Sequence, residues 1–328
     1  MPRPAEAVDH EDKINARLLN HVAWNARWRD RAFSIDAATR ALMMAGVPGG
    51  LDPGEAGLAL RTLAWQATWQ GRFSAAEDYA RRAIPFLESA GTWAALSDAH
   101  LCVATLHLTR FRLDLARGSV GIARETLLRD KRPESWINLL CTESILHRAH
   151  QAETAAFACL TEALHHARGS EEARVLHQLS RFYVDVEDHR EAMSHAERSV
   201  LSARRWDNRV VLPYALEYHG SLLAASGEAD TARACLGEAL EIARDDKDLR
   251  AECFVLTRLG EMDALDGNLE SAAGRLKVAR EKTERLGLPI WEQRVLGSLA
   301  GVLEQKGEFR GAFEALKAYR AVMEAVRF

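Results

Sequence analysis

Gly71–Ile84 reads GRFSAAEDYARRAI. A glycine opens the stretch, an aromatic follows two residues later, and small residues then return at Ala76, Ala80 and Ala83. Spacings of four and three put those alanines on one face of a helix. The glycine in front of them suits the end of a preceding helix. The same arrangement recurs at Gly227-Ala232-Leu236-Ala239, at Gly267-Ala272-Leu276-Ala279 and at Gly307-Ala312-Leu316. Aligned on the first small residue, the chain shows Ala38, Ala76, Ala116, Ala156, Ala192, Ala232, Ala272 and Ala312, at intervals of 38, 40, 40, 36, 40, 40 and 40 residues.

Twelve residues before each alanine lies a second small position: Ala26, Ala64, Ala104, Ser144, Ser180, Gly220, Gly260 and Ala300. Four residues earlier again come Val22, Leu60, His100, Leu140, Leu176, Leu216, Leu256 and Leu296, apolar in all but one unit. This spacing describes two antiparallel helices per unit, whose small residues let the backbones approach while large neighbours fill the grooves. Pro133, Pro213 and Pro289 stand where a first helix should begin, and there a missing N–H costs nothing. Pro48 and Pro53 frame a breaker-rich stretch, Val47 to Gly57, that reads as a loop. Pro85, near the end of a second helix, is expected to kink or shorten it.

Composition agrees with helix throughout. The chain has 328 residues, 48% hydrophobic and 27% charged, with only 8 prolines and 21 glycines. That is apolar enough for a packed core, which excludes a disordered chain. With 43 basic and 47 acidic side chains the net charge of −4 argues against general nucleic-acid binding, which draws on a cationic excess. The 5 cysteines are odd in number and widely spaced, as in a reducing compartment rather than a disulfide framework. No stretch of about 18 uncharged apolar residues suggests a membrane span, and the N-terminus lacks a signal-peptide pattern. A cytoplasmic protein is expected.

The unit resembles the tetratricopeptide repeat, and the resemblance covers about residues 14 to 320. The small residue of the first helix, the turn glycine and the small positions of the second helix carry it. The interval here exceeds the usual period of about 34 residues, so each junction should hold extra helix or loop. Phe111, Gln151 and Glu187 replace the turn glycine in the third to fifth units, and Glu143 replaces an apolar residue. The resemblance implies an all-α fold: a single α-solenoid, a right-handed superhelix of about eight helix-turn-helix units. Their approximate limits are 14–46, 55–91, 93–131, 133–168, 170–205, 209–246, 248–286 and 290–328.

The resemblance further implies a protein-interaction module with a concave groove lined by the first helices. Carried over residue by residue, the groove presents Arg61, Trp65, Trp69, Leu101, Ile145 and Arg148 in units two to four. In units five to seven it presents Arg174, His177, Arg181, Tyr214, Glu217, Tyr218, Arg258 and Glu261. Trp65 and Trp69, one helical turn apart, either anchor a partner side chain or pack on a neighbouring helix or loop. Arg174, His177 and Arg181 form a stripe that either holds a carboxylate or makes a ladder to Glu217. The Lys and Asn positions of the carboxylate clamp in chaperone-binding members hold other residues here.

Ten of the 12 histidines lie between His100 and His219, yet no metal-ligand spacing appears among them, so packing roles are the expectation. No nucleophile elbow, P-loop or dinucleotide fingerprint occurs, so no catalytic activity, cofactor or metal is expected. Three functional readings remain. The first is a scaffold that binds a protein or peptide in the groove. The second is the sensory region of a bacterial signalling protein whose output would be a diguanylate cyclase or histidine kinase. The third is a peptide- or ligand-sensing regulator that compacts on binding. The last helix carries an apolar stripe through Phe313, Tyr319, Met323 and Phe328, expected as a surface for self-association or for a downstream output domain.

Overall fold

The computed structural model describes residues 5–45 and 52–326, with side chains described for 15–45 and 52–325. The described residues form sixteen helices and no strand. They pair as hairpins: α1 Ala5–Ala26 with α2 Arg31–Ala45, α3 Pro53–Trp69 with α4 Phe73–Ser89, α5 Trp93–Thr109 with α6 Leu113–Leu127, and α7 Pro133–Ala149 with α8 Glu153–His166. The second half continues with α9 Ser170–Asp185 and α10 His189–Arg205, α11 Leu212–Ala225 and α12 Ala229–Asp245, α13 Leu249–Leu265 and α14 Leu269–Leu286, and α15 Pro289–Gln305 and α16 Phe309–Val326. The array is an all-α solenoid with the odd-numbered helices inside.

The repeated small residues are what let each hairpin close. All eight second-helix alanines from Ala38 to Ala312 are buried. At Gly260 a Cβ atom would lie 2.9 Å from Leu276 and 3.4 Å from the carbonyl oxygen of Ala272, so nothing larger than glycine fits without displacement. Ser180, at the equivalent place, uses its hydroxyl instead, donating to the carbonyl of Ala192 at 2.7 Å. The hairpin turns share one backbone state. Gly71, Gly227, Gly267 and Gly307 have φ of 75°, 90°, 79° and 75°, and the three substitutes Phe111, Gln151 and Glu187 take the same left-handed state at 57°, 57° and 61°. The turn geometry therefore survives loss of the glycine, at a steric cost of about 1 kcal/mol each.

Three expectations need correction. The stretch Val47 to Gly57 is not all loop: residues 46–51 lie outside the described residues, but Pro53 opens α3, and the Asp52 side chain accepts the Gly54 N–H. Pro85 does not shorten α4, which runs on to Ser89. Only one backbone hydrogen bond is lost there, close to a helix end. In the first unit α1 ends at Ala26 itself, and the buried small residue that faces α2 is Ala23, whose carbonyl accepts from Ser34 at 2.9 Å. The first hairpin thus turns early.

That early turn places Trp24–Arg31 across the middle of the solenoid. Arg27 reaches Glu171 at 2.7 Å and Glu134 at 3.1 Å, at the starts of α9 and α7. The Trp28 indole N–H donates to Glu171 at 3.0 Å. Arg31 pairs with Asp248, the N-cap of α13, at 3.2 Å. A second long-range seam joins α3–α4 to α13–α15, where Phe73, Ala76, Leu286 and Leu288 share one apolar cluster. Gly71 lies so near Leu286 and Arg250 that a Cβ there would sit 3.1 Å and 3.3 Å from them. The array therefore closes on itself within one turn.

Candidate functional site

Closure frames a half-open cavity of about 420 Å³ between α3, α5, α7, α9, α11, α13 and the start of α15. One wall is aromatic. Trp69 meets Trp65 at 5.6 Å and Tyr214 at 5.6 Å between ring centroids, and Tyr214 meets Phe254 at 6.1 Å. Phe254 stacks on Trp291 at 3.9 Å. This row carries the cavity wall across the seam, and the Tyr214 hydroxyl lies 2.9 Å from the Asp248 carboxylate, to which it donates, and 3.1 Å from the Trp69 carbonyl. The opposite wall is aliphatic, with Leu101, Leu108 and Ile145.

Between the walls the lining is polar and predominantly cationic. Arg148, Arg174, Arg181 and Arg250 face the cavity with only two carboxylates, Asp98 and Asp185. Both carboxylates are engaged. Asp98 accepts from Arg61 at 3.2 Å, Asn138 at 3.0 Å and Ser135 at 3.1 Å. Asp185 takes the Arg148 guanidinium at 2.6 Å. Arg174 donates to Asn138 at 2.6 Å, and Arg250 to the Tyr214 hydroxyl at 2.9 Å. The Arg181 guanidinium donates to no described side chain, while its carbonyl accepts from Arg148 at 3.3 Å. Burial, and then the neighbouring Arg148 cation, lower the Arg181 guanidinium to about 10. His177 is held well below its ordinary value by burial and by Arg181, Arg148 and Arg250, so it is neutral at pH 7. Burial pushes the Cys102 thiol up to about 12, which keeps it protonated at neutral pH.

Of the groove residues expected from the sequence, Trp65, Trp69, Leu101, Ile145, Arg148, Arg174, His177, Arg181 and Tyr214 line this cavity. Five lie elsewhere. Arg61 is buried against Asp98 and stacks on Trp24 at 3.3 Å. Glu217 is buried and takes Arg258 at 2.7 Å. Glu261 accepts two bonds from Arg294, at 2.8 and 2.7 Å. These carboxylates and guanidiniums satisfy one another across adjacent inner helices, so none is aimed into the hollow. Tyr218 packs edge-on to His177 at 5.6 Å, outside the lining. Trp65 is 5% exposed and packs edge-on to Trp28 at 4.6 Å, while Arg174 and Arg181 form no ladder to Glu217.

The residues that sequence reading missed had a signal. Asp98, Asn138, Arg174, Tyr214 and Phe254 occupy one repeat column, separated by 40, 36, 40 and 40 residues. Arg174 and Tyr214 point to the other three. Arg250 and Trp291 carry no such signal, because it is seam closure that brings them in. On the last helix, Phe313 is 65% exposed, whereas Tyr319 packs on Leu296 and Ala300 and Met323 is half-buried. Phe328 lies outside the described residues.

No family model and no curated protein matches the sequence. Among solved structures, a Rap protein complexed with competence and sporulation factor is similar over 100% of this chain and 89% of its own, at TM-score 0.73 and 12% identity. The Rap conjugation gene regulator of plasmid pLS20, in complex with the Phr* peptide, is similar over 96% of both chains, at TM-score 0.63 and 12% identity. A signal-transduction ATPase with a tetratricopeptide repeat sensor from Pyrococcus horikoshii is similar over 95% of this chain and 48% of its own, at TM-score 0.53 and 15% identity. At these identities the likeness concerns fold: the chain is a tetratricopeptide-like helical repeat solenoid.

Proposed function

We propose that this protein is a non-catalytic regulatory scaffold that binds a short peptide in the cavity at the centre of its solenoid, and that it acts in the cytoplasm. The observation that carries the reading is the cavity itself. It combines aromatic and aliphatic walls with a few convergent polar groups, the usual make-up of a ligand site, and its volume falls in the range of such sites. A peptide complex of a structure similar over 96% of this chain supports the choice of ligand. Among the described residues no helix is long and apolar enough to cross a membrane, and no three His, Cys, Asp or Glu side chains converge as a metal site.

The test is titration with pools of synthetic peptides five to eight residues long, read by the emission of the cavity tryptophans and by calorimetry. Ile145→Arg, which fills the cavity, should abolish binding, while Phe313→Asp on the outer face should leave it intact. If every pool fails to bind wild type, or if Ile145→Arg binds normally, the cavity is not the site.

A second reading, in which the array is the sensor of a larger signalling assembly, is favoured by α16. Phe309, Phe313 and Leu316 there are all more than half exposed, which suits contact with an output domain or a second copy.

A further inference from the structure

The cavity holds more positive charge than its structure uses. Arg148 is neutralised by Asp185, and Arg174 and Arg250 each donate to a neutral oxygen. Arg181 donates to nothing described, although it stands partly buried beside Arg148 and His177. A guanidinium partly withdrawn from water with no acceptor from the protein is disfavoured, and a second cation beside it adds to this. No described group accepts a hydrogen bond from the Arg181 guanidinium, although Glu217 and Asp185 lie near enough to favour its charge. An anion beside Arg181 would supply the missing acceptor and offset the Arg148 cation. The aromatic and aliphatic walls on either side exclude a small, fully hydrated ion as the whole ligand and suit an anion carried on an apolar body.

Resting on the peptide-binding reading above, we propose that the ligand is a peptide bearing a carboxylate, either its own C-terminus or an acidic side chain, seated against the guanidinium of Arg181 with Arg148 and His177 beside it. The apolar residues of the peptide lie along the Trp69–Tyr214 row. A carboxylate there also offsets the three guanidiniums around His177 (Arg181 on its own helix, Arg148 on α7 and Arg250 on α13), while Tyr218 on α11 covers its edge.

The experiment uses four pools of N-acetylated apolar pentapeptides. They carry a free C-terminus or a C-terminal amide, each with one internal glutamate or glutamine. Each pool is titrated into the full-length wild type and into Arg181→Gln and Arg181→Lys, after circular dichroism has shown all three folded alike. The expected result is that pools with a carboxylate bind wild type about tenfold or more tightly than the amide-glutamine pool. Arg181→Gln should erase that preference and Arg181→Lys restore part of it. The comparison of free-acid with glutamate pools identifies which carboxylate is read. Equal binding of acid and neutral pools by wild type, or an acid preference kept in Arg181→Gln, overturns the carboxylate assignment and leaves the peptide site standing. Failure of all four pools to bind, where the broader pools described above do bind, also overturns it. Failure of every peptide removes the peptide site itself.

Discussion

The two ends of the array are built in opposite ways. The first hairpin drives its turn into the middle of the solenoid, where Trp28 is 2% exposed and Arg27 and Arg31 are buried in ion pairs with residues more than one hundred positions away. In the last hairpin α15 packs on α13 and α14 and reaches the seam through Trp291, but the outer helix α16 rests mainly on α15 and leaves Phe309 and Phe313 69% and 65% exposed. In an open repeat array both ends would behave like the second, because each unit contacts only its neighbours. Here the first hairpin acts as a keystone and the last helix, α16, as a free flank. Stability should therefore depend steeply on what happens at one end and hardly at all on what happens at the other.

The sharpest break would be Trp28→Ala. It empties a site enclosed by Trp65 and Trp69 and leaves Glu171 without its indole donor, so unfolding in urea should show a loss of about 4 kcal/mol. Arg31→Ala comes next. It strips a buried carboxylate of its cation, but Asp248 keeps the Tyr214 hydroxyl and the Ala251 N–H, so the loss should be smaller, about 2–3 kcal/mol.

Between the ends, the cavity adds a pH dependence. His177 has a lowered value in the folded protein, so the unfolded chain binds the proton first as pH falls. Its contribution is complete above about pH 6.5 and is lost below it, at up to about 1.4 kcal/mol per pH unit. His177→Gln should flatten that acid limb; His100, His107 and His219, also lowered by burial, will leave some slope behind. Smallest of all, Phe313→Ser should change the urea midpoint by less than the equivalent of about 0.5 kcal/mol. A large loss at Phe313 together with a small one at Trp28 would reverse the contrast between the ends.

What the sequence made legible follows from what repeats. The small residues, the turn positions and the inward-facing columns recur at a fixed interval, so reading one unit constrained the rest, and even Phe111 and Gln151 could be placed in turns without glycine. What it concealed is whatever happens once. No periodicity announces that Arg27 will find Glu171 or that Trp69 will touch Tyr214, since those contacts depend on the summed curvature of several hairpins. The same limit explains Arg61 and Glu217. Both lie on inner helices, but a charge on an inner face can point to solvent or to a complementary charge one helix away. Only the neighbouring residue, Asp98 or Arg258, decides which.

One consequence of the seam at Gly71 concerns how such a chain can change its length. An open array accepts an extra hairpin or the loss of one with little effect beyond the junction. In this protein the second hairpin must arrive beside the seventh, with Gly71 against Arg250 and Trp69 within reach of Tyr214. A duplication or deletion anywhere between them rotates one lip of the seam away from the other. The closure therefore acts as a gauge on the number of units, and the copy-number drift by which open arrays diversify is barred to the segment between its lips.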